Sequence, residues 1–544
     1  MRSSPIGKIF KNIEALQDRV MSLTGWHRRI VAMLLGATMT LALPPFHIWP
    51  LLILGLTALV WMIDGSSPHV GVAGLRFTQH ASWSAFAVGW WYGIGFFIAG
   101  LYWISFSFLV DAAVFAWMIP FALLGLSATM ALYLGLGSWV AFITAPTGLR
   151  RVLLFAVWWT LFEWLRGWAF TGFPWNLMGT VWTNSEAMIQ LTALTGVYGL
   201  SLVTVLAATA PAALGYAALS PRARWNYMVL VWAVPAAVWI GGEFRLKHAS
   251  DEQVGGVRLR LIQPNISQQD KWDPNLTNRH LDRLIRLSRG SNSGGLEPAT
   301  HVIWPETATP LYLNSVPLAL RLVARAAPVS GALLTGAPRQ SQPAKGPRRI
   351  WNSLHIVTAD GIIRETYDKH HLVPFGEYVP FKTLLPISAL AGRLDFSSGI
   401  GLRTLAVPGM PSVAPLICYE AVFPGRVTPN RLQDRPEWLL NVTNDAWFGI
   451  SSGPYQHFAA TQLRAVEEGL PLVRVANTGI TGITDAFGRV ISKTVLNEEA
   501  VIDSGLPIAL DEPTWFSQHG NLTFLVVAVL LILLSRTPQL FPDE

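Results

Sequence analysis

A chain of 544 residues holds one cysteine, Cys418, in APLICYE (414–420), where an apolar run gives way to Tyr419 and Glu420. Such a thiol is either a small buried hydrophobe or a nucleophile presented where a strand turns. Two other runs end in a reactive side chain: THVIWPE (300–306) closes on Glu306, and IWNSLHIVTADGIIRETYDK (350–369) on Lys369. A thiol, a carboxylate and an ammonium suffice for acyl transfer. The thiolate attacks a carbonyl, the carboxylate takes and relays the thiol proton, and the ammonium stabilises the oxyanion. A neighbouring lysine would also draw the thiol below its free pKa of ~8.5. The backbone N–H of Tyr419 offers a second oxyanion donor.

Each residue also has a structural reading. Cys418 fits as a packing residue, Glu306 as a helix cap after Pro305, Lys369 as a surface charge, and Glu377 and Glu420 as solvated carboxylates. A Cys–His pair through His370 or His371 competes, although adjacent histidines on an extended chain point to opposite sides. The chain has no HExxH, GxxxxGK[ST] or paired CxxC, so no metal and no cofactor is expected. A formal net charge of +7 raises the question of nucleic acid. No soluble stretch interleaves clustered Arg or Lys with aromatics, so the excess reads as charge beside a membrane and no nucleic acid is expected.

These residues must be positioned by elements of two kinds. Hydrophobic residues make up 51%, charged residues 13%, and mean hydropathy is +0.38, as in a membrane protein. Between Gly25 and Glu243 only 13 of 219 residues are Asp, Glu, Lys or Arg. The expected organisation is a basic amphipathic segment (1–24) lying on the membrane surface, a seven-helix transmembrane region (25–243), an α/β domain (244–514), a last transmembrane helix (515–536) and a short cytoplasmic tail (537–544). The expected spans are Trp26–Leu43, Ile48–Ile63, Ser84–Leu109, Ala112–Ala145, Val152–Leu165, Ile189–Leu219, Tyr227–Gly241 and Trp515–Ser535. The first is read as a span and not as a cleaved leader, because no small-residue cleavage site follows it.

With a cytoplasmic N-terminus, the inner segments carry Arg2, Lys8, Lys11, Arg19, Arg28, Arg29, Arg76, Arg150, Arg151, Arg222, Arg224 and Arg536, and the short outer ones only Arg166. This positive-inside bias and the odd number of preceding spans put the α/β domain, with Cys418, on the outer face. The 24 tryptophans fit interfacial belts. Glu163 and Arg166 share a helical face near the end of the fifth span and suit either head-group binding or bundle support. Within the α/β domain, Asp360-Gly361 signals a hairpin, 278–288 and 455–468 read as helices, and 341–349 as a surface loop.

Five motifs in order carry a resemblance: WPETA (304–308), YDKHHLVPFGEYVP (367–380), ICYE (417–420), NVTNDAWFG (441–449) and RVANTGITGITDAFG (474–488). They resemble the nitrilase superfamily. Together with the spans, FEWLRGWAFTGFPWN (162–176) and QPNISQQDKWDP (263–274), they resemble its membrane-integrated branch, the apolipoprotein N-acyltransferases. The resemblance implies a polytopic α-helical membrane protein of about eight transmembrane helices. A periplasmic nitrilase-like αββα sandwich domain would be inserted before the last helix, and the whole would sit in a bacterial inner membrane and act as a monomer.

Carried over position by position, the resemblance makes Glu306 the general base, Lys369 the oxyanion stabiliser and Cys418 the acylated nucleophile. Glu377 becomes a second active-site carboxylate, Tyr419, Glu420 and Trp272 supporting residues, and Asp445, Trp447, Phe448 and Arg474 further candidates. The implied acyl donor is a membrane phospholipid such as phosphatidylethanolamine, and the implied acceptor the α-amino group of a diacylglyceryl-cysteine at an apolipoprotein N-terminus. Water would replace that acceptor in the alternative, a membrane-tethered amidase. The loop 380–396 is expected to cover the site as a lid or to serve as an interfacial anchor.

Overall fold

The structure, a computed structural model, describes residues 5–66, 79–145, 147–290, 298–341, 348–380, 395–429 and 434–537. Most of the expected lid (381–394), part of the expected surface loop (342–347) and most of the tail (538–544) lie outside the described residues. The chain divides into two compact units. One comprises Met1–Phe108, Ala113–His248 and Gln518–Glu544, the other Leu109–Ala112 and Ala249–Ser517.

The first unit is helical: α1 (Pro5–Met21), α2 (Gly25–Met39), α3 (Pro50–Asp64), α4 (Gln79–Leu101), the short α5 (Ser105–Leu109) and α6 (Ala112–Phe115), α7 (Ile119–Thr144), α8 (Leu149–Arg166), the short α9 (Glu186–Ile189), α10 (Thr192–Thr209) and α11 (Pro221–Leu246). Among the described residues, four helical stretches are long and apolar enough to cross a bilayer: Ala81–Leu109, Ala112–Thr144, Thr192–Gly215 and Pro221–Leu246. The other expected spans are helical but shorter, at 15 residues for α2 and α3, 18 for α8 and 13 for α16 (Leu522–Leu534). Hydropathy marks an apolar stretch without marking its breaks. The stretch 189–219, for example, contains a left-handed Gly196 (φ 66) inside α10. Small residues let α4 and α7 approach: a Cβ on Gly93 would lie 2.8 Å from the Cβ of Ala131.

The amphipathic α1 has a partner that periodicity did not reveal. Phe10 and Gln17 are buried, Glu14 bonds Arg224 at 2.7 Å, and Phe10 meets Trp225 edge-on. Lys8, Lys11 and Arg19 stay exposed together with Ile9 and Leu16. One flank of the helix is thus clamped to the bundle, while a second apolar strip remains open.

The second unit contains β1 (Gln253–Gln263), α12 (Thr277–Arg289), β2 (His301–Ile303), α13 (Pro317–Ala324), β3 (Ala332–Gln340), β4 (Ile350–Val357), β5 (Ile363–Asp368), β6 (Leu405–Val407), β7 (Met410–Ile417), β8 (Trp438–Thr443), α14 (Gly453–Glu468), β9 (Leu472–Ala476), β10 (Gly482–Thr484), β11 (Val490–Lys493) and β12 (Ala500–Pro507), and the short α15 (Trp515–His519) follows. Among the described residues two six-stranded sheets form, ordered β12-β1-β2-β3-β4-β5 and β11-β10-β9-β8-β7-β6. Leu259, Leu261, Leu334 and Ile356 of the first pack against Ile417, Leu440, Val442 and Val473 of the second. Leu281 and Leu284 of α12 and Val323 of α13 cover the first sheet's outer face, where Ile262, Val302 and Leu333 lie. Ala465 of α14 covers Leu416 and Leu439 of the second. The result is an α-β-β-α sandwich, and β2 and β8, covered on both faces, are wholly buried. The expected hairpin forms as β4–β5, with Gly361 left-handed (φ 76) in its turn.

Candidate active site

Strand direction brings the three reactive side chains to one place. β2 and β3 run parallel while β4 is antiparallel to both β3 and β5, so β5 ends at the same sheet edge as β2. Glu306 lies three residues past β2 and Lys369 directly past β5; Cys418 lies directly past β7 of the other sheet. Open α/β sheets collect functional groups at such carboxyl ends. Glu306 sits close over β3, where a Cβ on Gly336 would come 2.7 Å from its Cα. Ala308 N donates to Gly336 O at 2.8 Å. Cys418 is left-handed at φ 55, a conformation that costs a non-glycine residue about 1–3 kcal/mol. There β7 breaks into a 3₁₀ turn (Cys418–Val422), so the side chain stands at a sharp strand-to-helix corner.

Lys369 is buried with its Nζ 2.9 Å from each oxygen of Glu377 and 3.6 Å from Glu306 Oε1. Asn352 Nδ2 joins the two carboxylates, donating to Glu306 Oε1 at 2.7 Å and Glu377 Oε1 at 3.0 Å. Val373 N adds a 2.8 Å bond to Glu377 Oε2. Burial disfavours the ammonium of Lys369 more than any other single effect. Glu377, then Glu306, together outweigh it and hold Lys369 above the ordinary lysine range.

The thiol goes the other way from the sequence expectation. Burial, and then the charge of Glu306, push Cys418 up to about 12, and Lys369 only partly opposes them. A lysine nearby is therefore not enough to ionise the thiol; in a dry site the desolvation of the thiolate wins. On this balance the resting group is a neutral thiol within electrostatic reach of Glu306.

Glu420 is a structural hub. Its Oε1 accepts from Tyr367 Oη at 2.8 Å, His370 N at 2.7 Å and His371 N at 3.0 Å, and its Oε2 from Ile417 N at 2.7 Å. It ties the end of β5 and the turn after it to the end of β7, and so keeps Lys369 within electrostatic reach of Cys418. The histidine pair serves this tie through its backbone: His370 is exposed and the His371 ring packs on Tyr419 and Phe423. Trp272 is 42% exposed and Trp447 39%, while the Phe448 ring meets His457 edge-on.

Asp445 and Arg474 are fully buried and bonded at 2.7 Å. His457 completes this cluster, with Nδ1 3.0 Å from Asp445 Oδ1 and Nε2 3.3 Å from the carbonyl oxygen of Cys418. Asn441 Nδ2 donates to that same carbonyl at 3.3 Å, and Arg474 Nη1 to Asn441 Oδ1. Burial raises the Asp445 pKa, but Arg474 and then His457 overcome it and hold the carboxyl well below its usual range. Asn352, Lys271, Asn441 and His457 escaped sequence reasoning. The one available signal was that Lys271 lies inside a motif, QPNISQQDKWDP, already singled out for Trp272.

In the helical unit, Glu163 and Arg166 end α8 and are both buried. Glu163 Oε1 accepts from Met178 N at 2.9 Å. Arg166 Nη1 donates to Phe173 O at 2.8 Å and Trp175 O at 2.7 Å. Both hold the 173–178 stretch, which favours the support reading.

Residues 35–210 match the apolipoprotein N-acyltransferase N-terminal domain, and 258–510 match the carbon-nitrogen hydrolase family. An apolipoprotein N-acyltransferase of Rhodopseudomonas palustris is 40% identical over 526 residues, 94% of this chain and 96% of that protein. One from Bradyrhizobium diazoefficiens is 37% identical, over 97% of this chain and 98% of its own. The solved structure of a CN-hydrolase superfamily protein from Xanthomonas campestris is 18% identical, with a TM-score of 0.34, over 53% of this chain and 97% of that one. Two family regions in sequence and near-complete coverage at this identity show that the chain belongs to the apolipoprotein N-acyltransferases.

Proposed function

We propose that this protein moves a fatty acyl chain from a membrane phospholipid, through a thioester on Cys418, to the α-amino group of an apolipoprotein's N-terminal diacylglyceryl-cysteine. The observation that carries the reading is the convergence of Glu306, Lys369 and Cys418 on one buried, hydrogen-bonded edge. In the first half-reaction Glu306 takes the Sγ–H proton while sulfur attacks the ester carbonyl. Collapse of the tetrahedral intermediate breaks the C–O bond, and the departing lysophospholipid oxygen receives the proton from Glu306. In the second, the neutral amine attacks the thioester carbonyl and gives a proton to Glu306. Collapse breaks the C–S bond, the thiolate regains that proton, and the acyl group leaves as an amide. Positive charge at the oxyanion lowers both barriers.

The membrane architecture suits a lipid donor and acceptor. On this reading the eight apolar segments span an inner membrane, the second unit faces the periplasm as the arginine asymmetry implies, and exposed Trp272, Trp447 and Phe375 meet acyl chains at the mouth. The protein is incubated with radiolabelled phosphatidylethanolamine, and its intact mass is measured before and after addition of a diacylated lipopeptide. One added acyl group on Cys418 that then moves to the peptide amine is expected. Free fatty acid as the sole product would instead establish the water-using amidase.

A further inference from the structure

Two lysines are buried within electrostatic reach of Cys418, and their hydrogen bonding differs. Lys369 Nζ is surrounded by carboxylates, 2.9 Å from both oxygens of Glu377 and 3.6 Å from Glu306 Oε1. Lys271, 3% exposed, has one acceptor among the described residues, the backbone oxygen of Glu306 at 3.0 Å. An ammonium carries three N–H donors, so two on Lys271 are left without a partner among the described residues. Burying such a group is costly unless its donors are met.

The lysine is held in place. Its own N–H donates to Ser267 O at 3.1 Å. Asn444 Nδ2 donates to Gln268 Oε1 at 2.7 Å, Asn477 Nδ2 to Ile266 O at 2.7 Å, and Gln269 Nε2 to Val110 O at 3.1 Å. The residues that precede it are thus pinned to the turns after β8 and β9 and to the 109–112 segment of the same unit. Lys271 interacts electrostatically with Glu306 and with Cys418, which puts its charge among the reacting groups.

We propose that Lys271 is a further catalytic residue that donates an uncommitted N–H to the acyl carbonyl oxygen as it becomes negative, adding to the positive charge of Lys369. The assignment rests on the thioester reading above. No bond forms to Lys271 and no proton leaves it. Its N–H···O contact strengthens as the Sγ–C or N–C bond forms and the C=O electron pair moves onto oxygen, and relaxes when the C–O or C–S bond breaks. One oxyanion donor is worth about 10²–10³-fold in rate.

The test compares two reactions of Cys418 in full-length protein in phosphatidylethanolamine-containing vesicles. Acylation by the phospholipid passes through an oxyanion; alkylation by iodoacetamide does not. Lys271→Met is expected to slow acylation, and transfer to the lipopeptide, by about 10²-fold at an unchanged KM. Alkylation should change at least tenfold less than acylation. Lys271→Arg, which keeps the charge and donors, should recover part of the loss and guards against a folding defect in the methionine variant. Equal losses in acylation and alkylation, or wild-type acylation by Lys271→Met, overturn the assignment while leaving the thioester reading intact. Wild-type protein that is alkylated but never acylated overturns the thioester reading, and the assignment with it.

Discussion

Lys369 is gripped by Glu377 through both carboxylate oxygens, at 2.9 Å each, in a site where the lysine is almost wholly buried. The pair is what keeps an ammonium charged there, since burial alone would favour the neutral amine. Asn352 bridges from Glu377 to Glu306, so the grip also orients the proposed base.

Glu377→Gln preserves shape and removes that charge. Thioester formation should fall about 10²-fold or more, measured by rapid quench and intact mass, while KM for the phospholipid moves little. A variant that acylates at the wild-type rate would show that Glu377 only fills space.

Glu306 is predicted to act in opposite directions on two readouts. After burial, its charge is the next largest influence raising the Cys418 thiol to about 12. Glu306→Gln should therefore lower the thiol pKa and speed iodoacetamide alkylation between pH 8 and 10. The same change removes the proton relay and should cut acyl transfer by about 10²–10⁴-fold. In the wild type, alkylation without a base should keep rising with pH well past the ~8.5 of a free thiol; a plateau near that value would contradict the dry-site account.

The Asp445–Arg474 pair is expected to contribute stability that depends on pH. Its carboxyl is held well below the unfolded value of ~3.9. A depressed carboxylate stabilises fully above the unfolded pKa, and that stability drains as pH falls below it. Asp445→Asn leaves Arg474 buried without its counter-charge and should lose about 3–5 kcal/mol at pH 7. The difference in melting temperature between the two proteins should shrink below about pH 4. A gap that stayed constant on acidification would exclude the ion pair as its source.

Lys271 should trade stability for activity. Burial pushes its pKa down from 10.5 to about 8, against the weaker pull of Glu306 and Cys418. A lysine lowered in the folded state burdens it fully below the folded pKa, and the burden lifts as pH rises toward the unfolded ~10.4. Lys271→Met should melt higher than wild type at pH 7, by up to about 3 kcal/mol, and the advantage should fade near pH 10. Loss of stability at pH 7 would mean that the bond to Glu306 O outweighs the buried charge.

Much of the site was legible because parallel and mixed sheets write it into the chain: an apolar run ending in Glu306, Lys369 or Cys418 is a strand delivering a side chain to a sheet edge. Asp360-Gly361 identified the β4–β5 hairpin for an equally local reason, since the turn needs a residue at φ 76. Asn352 was invisible. It sits inside an alternating strand, and only the register of β4 against β3 and β5 turns it toward two glutamates. His457 was hidden in a helix buried on nearly every side, where polarity has no face to mark.

Composition, charge asymmetry and motif order determined the class of this protein, its helical and α/β parts, and the three side chains proposed to transfer an acyl group. Those are properties of local sequence and survive without coordinates. The tertiary structure decided which neighbour of a motif turns inward, so that Lys271 is buried while Trp272 is exposed. It also decided the state of the thiol. Ionisation depends on the sum of desolvation and every charge within reach, and that sum exists only once the two sheet edges have closed around Cys418.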